Sequence, residues 1–124
     1  MHYYIVGTTL GYAGTDNHYL VESEDELSQE AMDSLASEMW WSDFDSSGAV
    51  FGPEVEEQLD VGEITEEEAE EIYDSAHHGM VVHEVDCYCT QITKDNLEEM
   101  IEILHYETHD WSEEKEAEIR KSFE

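Results

Sequence analysis

Positive charge is nearly absent from this sequence of 124 residues, which has 4 Lys and Arg against 34 Asp and Glu and a formal net charge of -30. All four basic residues lie at or after Lys94, so residues 1–93 contain 23 carboxylates and neither Lys nor Arg. Ion pairs within the chain cannot neutralise this excess. Because nucleic-acid phosphates and anionic lipids repel such a surface, we expect no direct binding to nucleic acid or to membranes.

Long apolar runs and targeting features are also missing. No stretch of about 18 apolar residues is present, which excludes a transmembrane helix. The segment Met1–Gly7 lacks the basic start and the long apolar stretch of a signal peptide. We therefore expect a cytoplasmic protein, inside a bacterial host if a phage encodes it, with Cys87 and Cys89 as reduced thiols.

Apolar residues are nevertheless present in ordinary amounts, with 40% hydrophobic and 10% aromatic residues. A purely disordered acidic tail has fewer of them. A chain of this length buries roughly two thirds of the surface that it exposes when unfolded. We predict one folded domain over residues 1–124.

The periodicity of the first half predicts two strands and a helix. Residues 3–10 and 18–22 are rich in β-branched and aromatic residues, with a turn-forming stretch between them. Ser23 and Glu26 have the spacing of a capping box, which predicts that a helix begins there. Its apolar residues recur at every fourth position: Leu27, Ala31, Leu35 and Met39. A loop is predicted over residues 42–53.

The second half predicts a helix, a strand and two further helices. Thr65 and Glu68 form another capping box, and residues 80–92 alternate as a strand. Thr93 and Ser112 are suitable N-caps for the last two helices. The order ββααβαα predicts an α+β fold, in which a small antiparallel sheet of about three strands is packed on one face by acidic amphipathic helices.

The acidic helices are the first candidate site, since residues 54–74 contain 11 carboxylates among 21 positions. Residues three or four apart on a helix are neighbours, so these side chains form rows of negative charge. A solvated surface or an adaptation to high salt also produces acidic helices, and both alternatives stay open. The predicted partner-binding residues are Glu26, Glu30, Asp33, Glu56, Glu57, Glu66, Glu67, Glu70, Glu71, Asp74, Glu98, Glu99 and Glu102.

The second candidate site is the segment from Asp43 to Glu54, which resembles an EF-hand calcium loop. The resemblance covers 12 residues, with Gly48 at the sixth position and Phe51 where a polar ligand is usual. It implies calcium as the one cofactor to consider. The ligands that it implies are Asp43, Asp45, Ser47, the Ala49 carbonyl and Glu54.

Zinc binding and catalysis are weaker hypotheses. Cys87 and Cys89 stand near several histidines, but a Cys-x-Cys pair with scattered histidines is not a standard zinc spacing. No nucleophile, base and orienting group occur at a recognisable spacing, so we expect no enzymatic activity.

In size and acidity the chain resembles the DNA-mimic inhibitors carried by phages and mobile elements. The resemblance implies that it occupies the basic nucleic-acid site of a restriction complex, an RNA-guided effector or a nucleoid protein. A duplex about 35 Å long carries about 20 charges, which this chain matches or exceeds. Trp40, Trp41 and Trp111 are candidate apolar anchors for such a partner, although burial in the core is the ordinary role of each. A homodimer is left open, and calcium binding at residues 43–54 is the alternative function.

Overall fold

Five strands, five helices and one 3₁₀ turn make up the fold in a computed structural model that describes all 124 residues. In chain order they are β1 (His2–Thr9), β2 (Asn17–Ser23), α1 (Gln29–Ser47), β3 (Val50–Phe51), α2 (Gly52–Asp60), α3 (Glu66–Asp74), the 3₁₀ turn (His77–Gly79), β4 (Val81–Val82), β5 (Asp86–Gln91), α4 (Leu97–Glu107) and α5 (Glu113–Lys121). The predicted α+β fold with a small antiparallel sheet is confirmed.

β1 is the central strand of a three-stranded antiparallel sheet in the order β2-β1-β5. Residues 3–8 of this strand are all buried. A strand that is buried on both faces has a continuous apolar sequence and no alternation. Helices cover both faces of the sheet, so the prediction that they pack on one face only is wrong.

α1 covers one face of the sheet and is tied to it by side-chain hydrogen bonds. Asp43 accepts from the Thr8 hydroxyl at 2.6 Å and from the Tyr19 hydroxyl at 2.8 Å. Trp40 Nε1 donates to the Thr9 carbonyl at 2.8 Å, and its ring is fully buried. Trp40 forms a small apolar cluster with Leu10 and Val82.

α4 and α5 cover the opposite face and form the larger core. Tyr3 and Ile5 of β1 pack there against residues from both helices and against the residue that follows β5. The other members of this core are Ile92, Met100, Ile101, Leu104 and Ile119. The first and last elements of the fold therefore share one apolar core.

α1 begins later and ends later than the sequence predicts. Its N-cap is Ser28, whose hydroxyl accepts from the Ala31 amide at 3.1 Å, whereas Ser23 is the last residue of β2. The helix continues to Ser47 and ends at Gly48, which has a φ of 74° that favours glycine. The predicted loop over residues 42–53 is therefore wrong.

The predicted strand over residues 80–92 is split in two. β4 pairs with β3 in parallel, whereas β5 joins the main sheet. The Tyr12 hydroxyl fixes β4, because it donates to the Val81 carbonyl at 2.9 Å and accepts from the Val81 amide at 3.0 Å. A side chain nearly seventy positions away thus determines where this strand lies.

Two helix caps are confirmed. Thr65 and Glu68 form the predicted capping box of α3, and Ser112 accepts from the Lys115 amide at 3.0 Å at the start of α5. Pro53 lies in the first turn of α2, where its missing amide hydrogen costs nothing. None of the five helices has the length and apolar composition needed to cross a membrane.

Candidate partner-binding surface

Every carboxylate that the sequence marks for partner binding is exposed. They are Glu26, Glu30, Asp33, Glu56, Glu57, Glu66, Glu67, Glu70, Glu71, Asp74, Glu98, Glu99 and Glu102. Only Glu98 among them has an ion-pair partner, Arg120, whose Nη1 lies 2.5 Å from its Oε1. The others direct uncompensated negative charge to solvent.

The densest part of this surface is the acidic hairpin, by which we mean residues 52–74, formed by α2, the following turn and α3. It contains no Lys, Arg or His, and its buried residues are Gly52, Val55 and Ala69. α3 is nine residues long and has six carboxylates. At a rise of 1.5 Å per residue, this places one charge per about 2 Å of helix axis, close to the one charge per about 1.7 Å of duplex DNA.

Local capping lets α3 remain helical despite its charge. The Thr65 hydroxyl accepts from the Glu68 amide at 3.2 Å, and the Glu68 carboxylate accepts from the Thr65 amide at the same distance. Acidic residues in the first turn also interact favourably with the positive end of the helix dipole. Like charges at positions three and four apart act in the opposite direction.

Two of the four cations of the chain, Lys115 and Arg120, form ion pairs inside the fold. Lys115 on α5 binds Glu22 of β2 at 2.5 Å and Glu118 at 2.8 Å. Arg120 on the same helix binds Glu98 of α4 and Glu116. We call these four ion pairs the α5 clasp.

The α5 clasp lowers the pKa of each carboxylate that carries it within α4 and α5. Hydrogen bonds from Arg120 lower the pKa of Glu98, and those from Trp111 and Arg120 lower that of Glu116. A hydrogen bond from Lys115 lowers the pKa of Glu118. Arg120 and Lys115 are therefore committed to α4, α5 and β2, and neither is available to neutralise the acidic hairpin.

The EF-hand-like segment does not form a calcium loop. Asp43, Asp45 and Ser47 lie in the last turns of α1, and Glu54 lies in the first turn of α2, with the Ala49 carbonyl between the two helices. No three His, Cys, Asp or Glu side chains of the chain are grouped so that they could hold a metal ion. Calcium binding stays a prediction that this geometry does not favour.

Asp43 has a different role from that of a calcium ligand. Both of its oxygens accept hydrogen bonds, one from Thr8 and one from Tyr19. Burial, together with the hydrogen bond to Asp43, raises the pKa of Tyr19 to about 12. Asp43 thus joins the end of α1 to two strands of the sheet.

The histidine and cysteine set near β5 is divided between different places. Cys87 and Cys89 lie on the face of the sheet that α1 covers, and burial raises the pKa of Cys89 to about 11. His77 and His78 lie in the 3₁₀ turn with ring centroids 4.0 Å apart. His83 lies between β4 and β5, beside Gly52.

Sequence reasoning missed an aromatic surface on the α4 face of the sheet. Tyr88 of β5 is 41% exposed, and Tyr106 at the end of α4 is 74% exposed. Tyr88 lies over Gly7, where any Cβ would overlap its ring. A glycine inside an otherwise strongly β-forming strand was the available signal, because such a glycine marks a close approach by another group.

Comparison with family models, with curated proteins and with solved structures finds no match to this chain. Its function is therefore inferred from its own surface.

Proposed function

We propose that this protein binds the basic nucleic-acid site of another protein in place of DNA. The observation that carries the proposal is the acidic hairpin, whose helix α3 presents carboxylates at nearly the linear density of duplex phosphates and which has no cation of its own. A protein of this kind would inhibit restriction complexes, RNA-guided effectors or nucleoid proteins, as phage-encoded DNA mimics do. It would act by binding and not by catalysis.

The ordered arrangement of the acidic surface supports this proposal over non-specific binding of basic proteins. The carboxylates of α3 lie on a helix that is fixed by a capping box and joined to α2, so their spacing is set by the backbone. A disordered acidic tail attracts any basic protein. A rigid row of charges also matches a phosphate track in position, which favours a partner that reads a duplex.

Pairing with a basic cleft would follow the thermodynamics of DNA binding. Lys and Arg side chains that line the cleft would form charge-assisted hydrogen bonds with the helix carboxylates. Both surfaces would release condensed counterions, so the affinity should fall steeply as salt is added. Lys115 and Arg120 are paired in the α5 clasp, so neither competes with the partner's cations for the hairpin carboxylates.

The three tryptophans differ in their suitability as anchors for this partner. Trp40 is fully buried, and Trp111 is half-buried, with Nε1 donating to Glu116 at 3.1 Å. Trp41 is 37% exposed on α1, edge-on to Trp40 with ring centroids 4.8 Å apart. Trp41 is therefore the tryptophan that a partner can reach.

The test is affinity capture from a bacterial lysate with the immobilised chain at low ionic strength. We expect proteins that bind nucleic acid to be enriched, to be released by salt, and to be displaced by added duplex DNA. Replacing Glu66, Glu67, Glu70 and Glu71 by Gln should weaken the capture, because the densest row of charge is then lost.

The matched control changes the net charge equally elsewhere. Glu24, Glu113, Glu114 and Glu124 are exposed, have no ion-pair partner and lie outside the hairpin. Replacing these four by Gln should reduce capture less than the α3 variant does. A captured protein that keeps its duplex DNA while this chain is bound would contradict the proposal.

A further inference from the structure

A second surface of the molecule combines negative charge with exposed aromatic rings. Three adjoining cavities of about 250, 200 and 270 Å³ run from the end of β1 to the end of α4. The first two share Asp16 and His18, and the last two share Glu107. We call these three cavities together the tyrosine groove, since Tyr88 lines the first and Tyr106 the last.

The position of the Tyr88 ring in this groove is set by the sheet. Tyr88 is the direct cross-strand partner of Gly7, and the missing side chain of that glycine is what lets the ring lie against the sheet. The neighbouring ring of His18 has its centroid 6.1 Å away. The strand backbone therefore fixes an aromatic surface that is still 41% exposed.

Carboxylates surround this ring, and neither Lys nor Arg lines the groove, although His18 and His109 do. Asp16 and Asp86 line the first cavity, and Glu99 and Glu107 of α4 line the last. Burial raises the pKa of Tyr88, and the negative charges of Glu107 and Glu99 raise it further. An aromatic ring between carboxylates attracts a cation through its face and its surroundings alike.

We propose that the tyrosine groove binds an arginine side chain of the basic partner, with the guanidinium stacked on Tyr88 and paired with the carboxylates of α4. The inference rests on the proposed function and adds a second contact to the acidic hairpin. Arginine fits better than lysine because its planar group both stacks on an aromatic ring and forms two parallel hydrogen bonds with a carboxylate. Charge complementarity alone would not distinguish the two side chains.

The test uses the full chain and a short peptide of two arginines separated and flanked by glycines, with its lysine counterpart as comparison. Titration followed by amide chemical shifts should show the largest arginine-dependent changes at Gly7, His18, Tyr88 and Glu107. Tyr88→Ala should weaken arginine-peptide binding about three- to tenfold, and Tyr88→Phe should preserve it because the ring remains. The lysine peptide should bind more weakly and lose less on Tyr88→Ala.

Val85→Ala is the matched control, since Val85 has similar exposure, at 40%, and lines none of the three cavities. Equal losses for Val85→Ala and Tyr88→Ala, or shifts centred on α2 and α3, would overturn the proposal. If Tyr88→Ala does not fold, joint replacement of Glu99 and Glu107 by Gln must still weaken arginine binding. If neither variant weakens arginine binding while duplex DNA still displaces the captured partner, the groove is not part of the interface and the hairpin alone remains as the proposed contact.

Discussion

α3 and α5 are matched helices with opposite uses of charge. Each is nine residues long, is capped by a hydroxyl side chain and has one buried residue. α3 has six carboxylates and no cation, whereas α5 has three of the four basic residues of the chain. α5 buries Ile119 completely in the main core, while α3 buries only Ala69.

The difference indicates that the paired cations of α5 serve the fold and that the carboxylates of α3 serve the surface. Where a helix must dock on the sheet, as α5 does, ion pairs to β2 and α4 accompany its apolar contact. Where a helix faces outward, as α3 does, nothing neutralises it. Exposed ion pairs stabilise a fold by at most about 1 kcal/mol each, so apolar burial still carries most of the docking of α5.

The largest expected difference between α5 and α3 is in the stability lost when one apolar side chain on each helix is truncated. Ile119→Ala should reduce the free energy of unfolding by about 2–5 kcal/mol, since it leaves a cavity in the main core. Ile72→Ala on α3 should cost clearly less, because Ile72 is only half-buried. Urea unfolding measures both. Equal losses would mean that the acidic hairpin is packed as firmly as α5.

Neutralising carboxylates should affect the two helices in opposite directions. Replacing Glu66, Glu67, Glu70 and Glu71 by Gln removes several like-charge neighbours, so stability should stay unchanged or rise by up to about 1 kcal/mol at low salt. Glu68 is retained for its capping role. Replacing Glu116 and Glu118 by Gln on α5 should instead destabilise the fold, because both carry the α5 clasp. A loss in both variants, by thermal unfolding, would contradict the contrast.

The smallest expected difference between α3 and α5 is in how their stability responds to mild acid. The pKa values of Glu98, Glu116 and Glu118 are lowered by folding, so their stabilising contribution is present above the unfolded pKa and is lost as the pH falls below it. The carboxylates of α3 form no ion pair that acid could remove. Amide-exchange protection near pH 4, relative to pH 7, should therefore fall at α5 compared with α3. Parallel changes in the two helices would refute this, and Arg120→Gln should flatten the response of α5.

Local chemistry made much of the fold predictable from the sequence. The two N-terminal strands and the helices capped by Thr65 and Ser112 follow from residue types within a few positions of one another. Exposure of the marked carboxylates was also predictable, because each lies off an apolar stripe.

The wrong predictions lie where contacts between residues far apart in the sequence determine the structure. The break between β4 and β5 depends on Tyr12, and the extension of α1 to Ser47 depends on Asp43 reaching Thr8 and Tyr19. The unbroken apolar run of β1 indicates that both faces of the sheet are covered. It does not indicate which helix covers which face. The tyrosine groove joins side chains from β2, β5 and α4, which no local spacing reveals.

The pairing of β1 with β5 has a kinetic consequence. This strand pair joins Gly7 to Tyr88, so folding must close a loop that contains the entire acidic hairpin. The loop has no Lys or Arg, and its mutual repulsion opposes closure in addition to the usual entropy of a long loop. Added salt screens that repulsion. The ions that slow recognition of a basic partner should therefore speed the search for the native topology.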